Sequence, residues 1–224
     1  AFSSSTEVFI VSSTDGITWS DPSSAFENLD NTHHFDFKYN SVDGYFAVLA
    51  LNSLDDKIYF TTSSDIDAWS SPVEVFGTGA DSLALSFAPS SSLIVAAADF
   101  GNFGVKVATS SDQSTWGISS SVDVLSAGSG RMVDVAVSGD DGSEVIHLVY
   151  SMSGTNYGVD YASSTNFGSS WSTTTIFSLA SNVEFTDALS LEVNSSSLPA
   201  VLFQNITSLS GGGPYDVTVD IILA

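Results

Sequence analysis

The chain of 224 residues contains no cysteine. This absence excludes disulfides, thiolate metal sites and cysteine nucleophiles. Basic residues are nearly as scarce, because four Lys and Arg stand against 26 Asp and Glu, which gives a formal net charge of −22. Binding to a polyanion requires basic groups that displace counterions, so nucleic acid is excluded as a partner. No apolar run approaches the ~18 residues of a membrane-spanning helix, and we expect no membrane span.

The amino terminus lacks both an initiator Met and a signal-peptide pattern. We therefore expect a mature, N-terminally processed product. Together with the acidity and the abundance of Ser and Thr, this favours a secreted protein that is extracellular or at the cell surface. Asn194 and Asn205 begin Asn-x-Ser/Thr sequons and are candidate glycosylation sites. The acidity favours cations, so Ca²⁺ is the ion considered as a ligand, and no cofactor is predicted.

A tryptophan-containing motif occurs four times in the chain. It reads SSTDGITWS at residues 12–20, and related segments contain Trp69, Trp116 and Trp171, so that successive tryptophans are 50, 47 and 55 positions apart. Each copy stands between two short runs rich in β-branched and aromatic residues, and two further runs of this kind separate one copy from the next. The repeat therefore predicts a unit of four antiparallel strands, with the motif linking the third strand to the fourth.

This unit predicts an all-β fold, a small β-propeller of four-stranded antiparallel blades. We expect a single domain, residues 1–224, with four blades favoured and five as the alternative. The predicted units are 33–77, 81–126, 132–179 and 186–224. The last of them supplies three strands, and strands within residues 5–30 would complete it, either from the same chain or from a neighbouring subunit.

The four segments resemble Asp-box repeats, also called BNR repeats, with the pattern Ser/Thr-x-Asp-x-Gly-x-Thr/Ser-Trp. Two copies carry Ile66 and Gln113 at the Gly position, and one carries Asn166 at the Asp position. The resemblance implies a sialidase-like propeller architecture in which the motif is a peripheral structural turn. The motif residues are Ser13, Asp15, Gly16, Thr18, Trp19, Ser63, Asp65, Trp69, Ser110, Asp112, Thr115, Trp116, Ser164, Asn166, Gly168, Ser170 and Trp171.

Sialidases bind the substrate carboxylate with three arginines, but this chain has a single one, Arg131. The resemblance therefore does not extend to sialidase activity. Other glycosidases need two carboxylates at a suitable separation. Acidic residues at the predicted starts of the first strands could converge at one mouth of a channel, as a ligand or ion site, or could serve as ordinary turn residues. The channel-mouth candidates are Asp36, Asp81, Arg131, Asp134 and Asp187.

The three histidines predict no metal site. His33 and His34 are adjacent on a strand pattern and point to opposite faces, and His147 lies inside a predicted strand, where we expect a structural role. No GxSxG elbow occurs. By elimination the sequence predicts a non-catalytic extracellular structural or assembly module rather than an enzyme.

The terminal strands suggest how such a module assembles. The segment SGGGP, residues 210–214, would let the final strand pair with a neighbouring subunit, and repeated exchange would build polymers or filaments. A glycan-binding, lectin-like propeller is the alternative function. A glycoside hydrolase that uses paired carboxylates comes third.

Overall fold

The computed structural model describes residues 6–29, 34–101, 104–119, 132–152, 157–179, 184–207 and 216–223. Within these ranges the regular elements are β-strands, and every paired strand is antiparallel to its neighbour. The chain divides into two compact units, Ala1–Gly79 and Ala80–Ala224. No helix in these ranges has the length and hydropathy needed to cross a membrane.

The first unit contains one sheet built around four consecutive strands. Its strands are β1 (Thr6–Ile10), β2 (Ser23–Leu29), β3 (Phe35–Asn40), β4 (Tyr45–Asn52), β5 (Lys57–Ser63) and β6 (Val73–Phe76). Strands β3 to β6 pair in chain order. The β1–β2 hairpin joins them through a pairing of Leu29 with Asn52 of β4. Val8 and Phe26 of the hairpin are buried with Val48 and Ala50 of β4, so the hairpin shares the core of this unit.

The second unit contains three sheets that follow one another along the chain. The first has β7 (Ser82–Phe87), β8 (Ile94–Asp99), β9 (Val105–Ser110) and β10 (Gly117–Ile118). The second has β11 (Val133–Ser138), β12 (Val145–Met152), β13 (Tyr157–Ser164) and β14 (Ser172–Leu179). The third has β15 (Glu184–Val193), β16 (Pro199–Thr207) and β17 (Asp216–Leu223).

The first strands of these sheets form the centre of the second unit, because β11 packs against both β7 and β15. Small and β-branched residues make this approach close. Ala96, Ala97 and Ala98 of β8 are fully buried, and Val95 and Ala97 share a core cluster with residues of β11 and β12. A second cluster joins Ala136 and Val149 to Leu191 and Phe203 of the last sheet. Each sheet is thus covered by its neighbour, as the blades of a propeller are.

The predicted all-β class and four-stranded antiparallel blades are confirmed. Strands β3 to β6, β7 to β10 and β11 to β14 occupy the units predicted at 33–77, 81–126 and 132–179. The fourth strand of the second of these is described only at Gly117–Ile118, and residues 120–131 lie outside the described residues. The last sheet has three described strands. Its completion by the N-terminal strands stays a prediction, and in this structure β2 pairs with β4 instead.

Candidate functional site

The tryptophan motifs form the turns between the third and fourth strands, and their acidic residues bond to their own backbone. Asp15 Oδ1 accepts the N–H groups of Ile17 and Thr18 at 2.8 and 2.7 Å and the Ser13 hydroxyl at 3.0 Å. Ser13 Oγ in turn accepts the N–H of Gly16 at 2.8 Å. These donors stabilise the charged carboxylate and lower the pKa of Asp15 to about 2. An oxygen with three donors already in place has little capacity left for chemistry.

The variant copies keep the same turn. Asp112 Oδ1 accepts two backbone N–H groups at 2.7 and 2.9 Å, which lower the pKa of its carboxyl group. Ile66 and Gln113, which replace the Gly of the pattern, have φ of 65° and 66°, close to the 72° of Gly16. In the long copy Asn166 Oδ1 accepts the N–H of Ser170 at 2.9 Å. The hydrogen bonds of the acidic or amide residue therefore hold the left-handed conformation even where glycine is absent.

The four tryptophans of the motif are not equivalent. Trp69 packs on the core of the first unit and donates from Nε1 to the carbonyl of Ile66 at 3.0 Å. Trp171 packs against the core of the second unit, and Trp116 is half-buried. Trp19 differs, since 60% of its surface is exposed. Packing of the indole against a core is therefore not common to all four copies of the motif.

Among the channel-mouth candidates, Asp134 joins two strands. Its Oδ2 accepts the N–H of Leu191 on β15 at 2.7 Å, and its Oδ1 accepts the N–H of Val135 at 2.8 Å. Asp36, in the first unit, accepts the N–H of Phe37 at 2.7 Å and lies 3.9 Å from Lys38 Nζ. Both carboxylates are therefore held by neighbouring backbone, as expected for turn and strand-start residues.

Two other candidates of that set, Arg131 and Asp187, have side chains outside the described residues. Arg131 and His33 lie outside the described residues, and Asp187 belongs to β15 but its side chain is likewise outside them. His34 accepts the N–H of Leu51 through its carbonyl at 3.1 Å. In the described part of the chain, no three His, Asp or Glu side chains come close enough together to hold a metal ion. A Ca²⁺ site at the channel mouth therefore stays a prediction.

Asp81 belongs to a pair of carboxylates that the sequence did not predict. It immediately precedes β7, and its N–H donates to the carbonyl of Asp99, the last residue of β8, at 2.7 Å. Asp99 Oδ1 accepts the N–H of Gly101 at 2.8 Å. A Cβ built on Gly101 would lie 3.0 Å from Asp81 Oδ2, so both carboxylates adjoin this glycine. Gly101 has a φ of +59°, which suits a residue without a side chain.

The two carboxylates have different environments. Asp81 is exposed, whereas Asp99 is 1% exposed and its Oδ2 has no hydrogen-bond partner among the residues that the structure describes. Side-chain alternation along β8 places Asp99 on the face of Val95 and Ala97, which packs against β11. Burial therefore raises the pKa of Asp99 to about 6, the Gly101 N–H opposes this shift, and the charge of Asp81 adds to it.

Other polar groups extend this region of the second unit. Ser82 Oγ accepts the N–H of Val133, the first residue of β11, at 3.2 Å. On β12 and β13 the buried Tyr150 hydroxyl donates to Asp160 Oδ2 at 3.4 Å. Phe100 lies in the loop after β8, and Nζ of Lys106, on β9, is 4.9 Å from the centre of its ring. The start of β7 and the end of β8 thus carry a buried acid, an exposed acid and a nearby cation.

The two sequons differ in their accessibility. Asn194 is exposed in the turn between β15 and β16, where its Oδ1 accepts the N–H groups of Ser196 and Leu198 at 2.9 and 3.0 Å. Asn205 lies within β16, where its backbone pairs with Phe185 and Thr218, and its side chain is outside the described residues. Glycosylation at either position stays a prediction.

No protein-family model matches the sequence, and no curated protein matches it. Solved structures do match. An α-L-arabinofuranosidase from Fusarium graminearum is 13% identical with a TM-score of 0.59, over 96% of this chain and 65% of that one. An α-L-arabinanase from Penicillium chrysogenum is 16% identical with a TM-score of 0.60, over 98% and 67%. The fold is that of a β-propeller.

A third match is a variant of the Aleuria aurantia lectin in complex with alpha-methyl-L-fucoside, 12% identical with a TM-score of 0.54, over 93% of this chain and 68% of that one. The chain therefore spans about two thirds of the length of these structures, 65% for the arabinofuranosidase. At such identities the matches establish the fold. They do not show a specific relationship to Asp-box proteins, which stays a resemblance based on the sequences of the four turns.

The prediction of a non-catalytic protein is contradicted by these matches. The arabinofuranosidase and the arabinanase are named as enzymes that act on glycosides, and the lectin structure holds a fucoside. The sequence argument tested one arginine-dependent activity and looked for paired acids only at strand starts. Asp99 stands at the end of a strand, where the signal was an apolar run, IVAAAD, that closes on a charged residue.

Proposed function

We propose that the chain is a glycoside hydrolase in which Asp99 is the general acid and Asp81 supplies the second carboxylate. The proposal rests on the difference between the two acids: Asp99 is buried and has a pKa of about 6, whereas Asp81 is exposed. Glycoside hydrolysis needs one carboxyl group that keeps its proton near neutral pH and one that is ionised. The enzymes of the same fold that act on arabinose-containing glycosides support this class of substrate.

The two carboxylates have separate tasks in this proposal. Protonated Asp99 donates a proton to the glycosidic oxygen as the bond to the anomeric carbon breaks. Its Oδ2, which has no hydrogen-bond partner among the described residues, carries this proton, and because Asp99 is 1% exposed the proposal requires that substrate binding exposes this atom. Asp81 acts at the anomeric carbon, on the solvent-exposed side, where water can enter. Gly101 keeps the space between them open, because a side chain there would meet Asp81 Oδ2.

The test is turnover of a panel of nitrophenyl glycosides, beginning with the α-L-arabinofuranoside and including the β-xyloside and α-L-fucoside. In Asp99→Asn we expect kcat to fall by roughly 10²–10⁴-fold, the usual contribution of a general acid. Asp81→Asn should lose a similar factor. Asp141→Asn, an exposed turn residue, is the matched control and should retain activity.

The pH dependence of glycoside hydrolysis is a second test of the assignment of Asp99 as the acid. Because Asp99 must be protonated, kcat/KM should decline as the pH rises above about 6. Full activity of Asp99→Asn would refute its role as the acid. Binding of a glycoside without turnover by the native protein would contradict hydrolysis and leave a glycan-binding function of the lectin kind.

An extracellular setting is part of this proposal, since the chain is acidic and free of cysteine and polymeric glycans are external substrates. Self-association through terminal strands is a separate proposal. Among the described strands, β17 pairs with β16 and ends its sheet, so its outer edge is where an added strand would pair. Sedimentation of the native chain and of a chain truncated after Ser210 tests it, and identical assembly of the two would refute it.

A further inference from the structure

The second unit has a cavity at the opposite end of its sheets from Asp81 and Asp99. Its volume is about 380 Å³, large enough for a small organic ligand. Three hairpins surround it, those that join β7 to β8, β11 to β12 and β15 to β16. Its lining is mostly polar and includes Ser138, Asp140, Asn194 and Ser195, with three apolar residues, Pro89 and two valines.

Ser138, which borders this cavity, begins a chain of hydrogen bonds into the protein. Its Oγ lies 2.8 Å from His147 Nε2, and His147 Nδ1 lies 2.6 Å from the Tyr161 hydroxyl. The residues lie on adjacent strands β11, β12 and β13, and pairing of Val137 with Ile146 and of Leu148 with Ala162 fixes their register. A hydroxyl within reach of an imidazole that a third group orients is the arrangement of an activated serine nucleophile.

The environment of His147 suits a base. The ring is 4% exposed, and burial lowers the pKa of the imidazole, so it is neutral at physiological pH and can accept a proton. With Nδ1–H donating to the Tyr161 oxygen, Nε2 carries the lone pair and faces Ser138. Our sequence-based expectation of a structural strand histidine therefore accounts for its position but not for its contact with Ser138, which lines the cavity.

We propose that Ser138 is the nucleophile of an ester-hydrolysing site, with His147 as its base and Tyr161 as a positioning residue. Ser138 Oγ attacks the carbonyl carbon of a short-chain carboxylic ester while its proton passes to His147 Nε2. The bond from the carbonyl carbon to the alcohol oxygen breaks, and His147 returns the proton to that leaving oxygen. Water then attacks the acyl-serine, gives up a proton through His147, and releases the carboxylic acid and free Ser138.

The lining of the cavity indicates the class of alcohol. Asp140, Asn194 and Ser195 present carboxylate, amide and hydroxyl groups at the rim, and these recognise a compound with several hydroxyl groups. An O-acylated sugar fits this description. The site does not depend on Asp81 or Asp99, which lie at the other end of the strands, so the two proposals fail independently.

The experiment uses the full chain with p-nitrophenyl acetate as substrate and a fluorophosphonate as covalent probe. We expect the probe to add once, at Ser138, as located by peptide mass spectrometry, and ester hydrolysis to exceed that of Ser138→Ala by roughly 10²-fold or more, the smaller end of general-base effects. His147→Gln should lose both labelling and hydrolysis. Ser114→Ala, at an exposed serine in the turn after β9 and outside the cavity lining, is the control that should keep both.

Two further readouts separate chemistry from structure. Tyr161→Phe should still be labelled at Ser138 but with a shifted pH profile of kcat/KM, because it removes the partner of His147 Nδ1 and leaves the nucleophile in place. Asp99→Asn should hydrolyse the ester at the native rate. Failure of the native protein to label at Ser138, or ester hydrolysis by Ser138→Ala equal to that of the native protein, would overturn the proposal.

Discussion

Replacing Asp99 by Asn should stabilise the protein above pH 6 and leave its stability unchanged near pH 4. The native carboxyl group has a pKa of about 6 when folded against 3.8 as its ordinary value. Between these pH values the unfolded chain has released the proton and the folded chain has not. The Asp99 contribution to stability is therefore complete below pH 3.8, declines as the pH rises, and is lost above pH 6.

The size of the effect follows from the shift. About two pKa units correspond to about 3 kcal/mol, at 1.36 kcal/mol for each unit. Asn keeps an oxygen that can accept from the Gly101 N–H and has no proton to lose, so its stability does not change through this window. The free energy of unfolding of Asp99→Asn should exceed that of the native protein by up to about 3 kcal/mol at pH 7–8.

The assay is urea unfolding at pH values from 4 to 8, followed by tryptophan fluorescence. Because the chain has two compact units, both proteins should carry Trp19→Phe and Trp69→Phe, so that Trp116 and Trp171 report on the second unit. Repulsion among the 26 acidic residues also weakens with falling pH, but it affects both proteins and largely cancels in the difference. A difference that does not change between pH 4 and pH 8 would refute the buried-acid assignment.

Four further substitutions test the fold by urea or thermal unfolding. Gly16→Ala should lower the free energy of unfolding by about 1 kcal/mol, because φ is +72° and the new Cβ meets no neighbouring group within 4 Å, so that backbone strain is the main effect. Gln113→Gly should change stability by a smaller amount and in the opposite direction. If both substitutions changed stability in the same direction, the strain argument would be contradicted. Asp134→Ala should lower the free energy of unfolding by roughly 1.5–3 kcal/mol, because the Leu191 N–H loses a charged acceptor. An unchanged stability would show that this hydrogen bond between β11 and β15 does not stabilise the fold. Leu148→Ala should lose about 2–5 kcal/mol from a fully buried site, and a smaller loss would mean that the core collapses onto the gap.

The turn chemistry and strand pattern were predictable because they are local. The alternation of apolar residues and the spacing of the tryptophans located the strands, and Asp65 and Asp112 hold their turns although Ile66 and Gln113 replace glycine. The role of Asp99 is not local. Its burial depends on β11, which begins more than thirty residues later, and no pattern within β8 specifies that contact.

The same reasoning explains why Asp15, in a turn, and Asp99, at the end of a strand, have opposite properties although their side chains are identical. Asp15 is exposed and accepts three hydrogen bonds, so its charge is stabilised and its pKa lies near 2. Asp99 is buried with a donor on Oδ1 alone, so its neutral form is favoured and its pKa lies near 6. The fold supplies several backbone N–H donors to the carboxylates of its turns, but it gives the Asp99 carboxylate fewer hydrogen-bond donors. That deficit lowers stability at neutral pH, and the proposed reaction gives it a use, because a general acid must keep its proton at that pH.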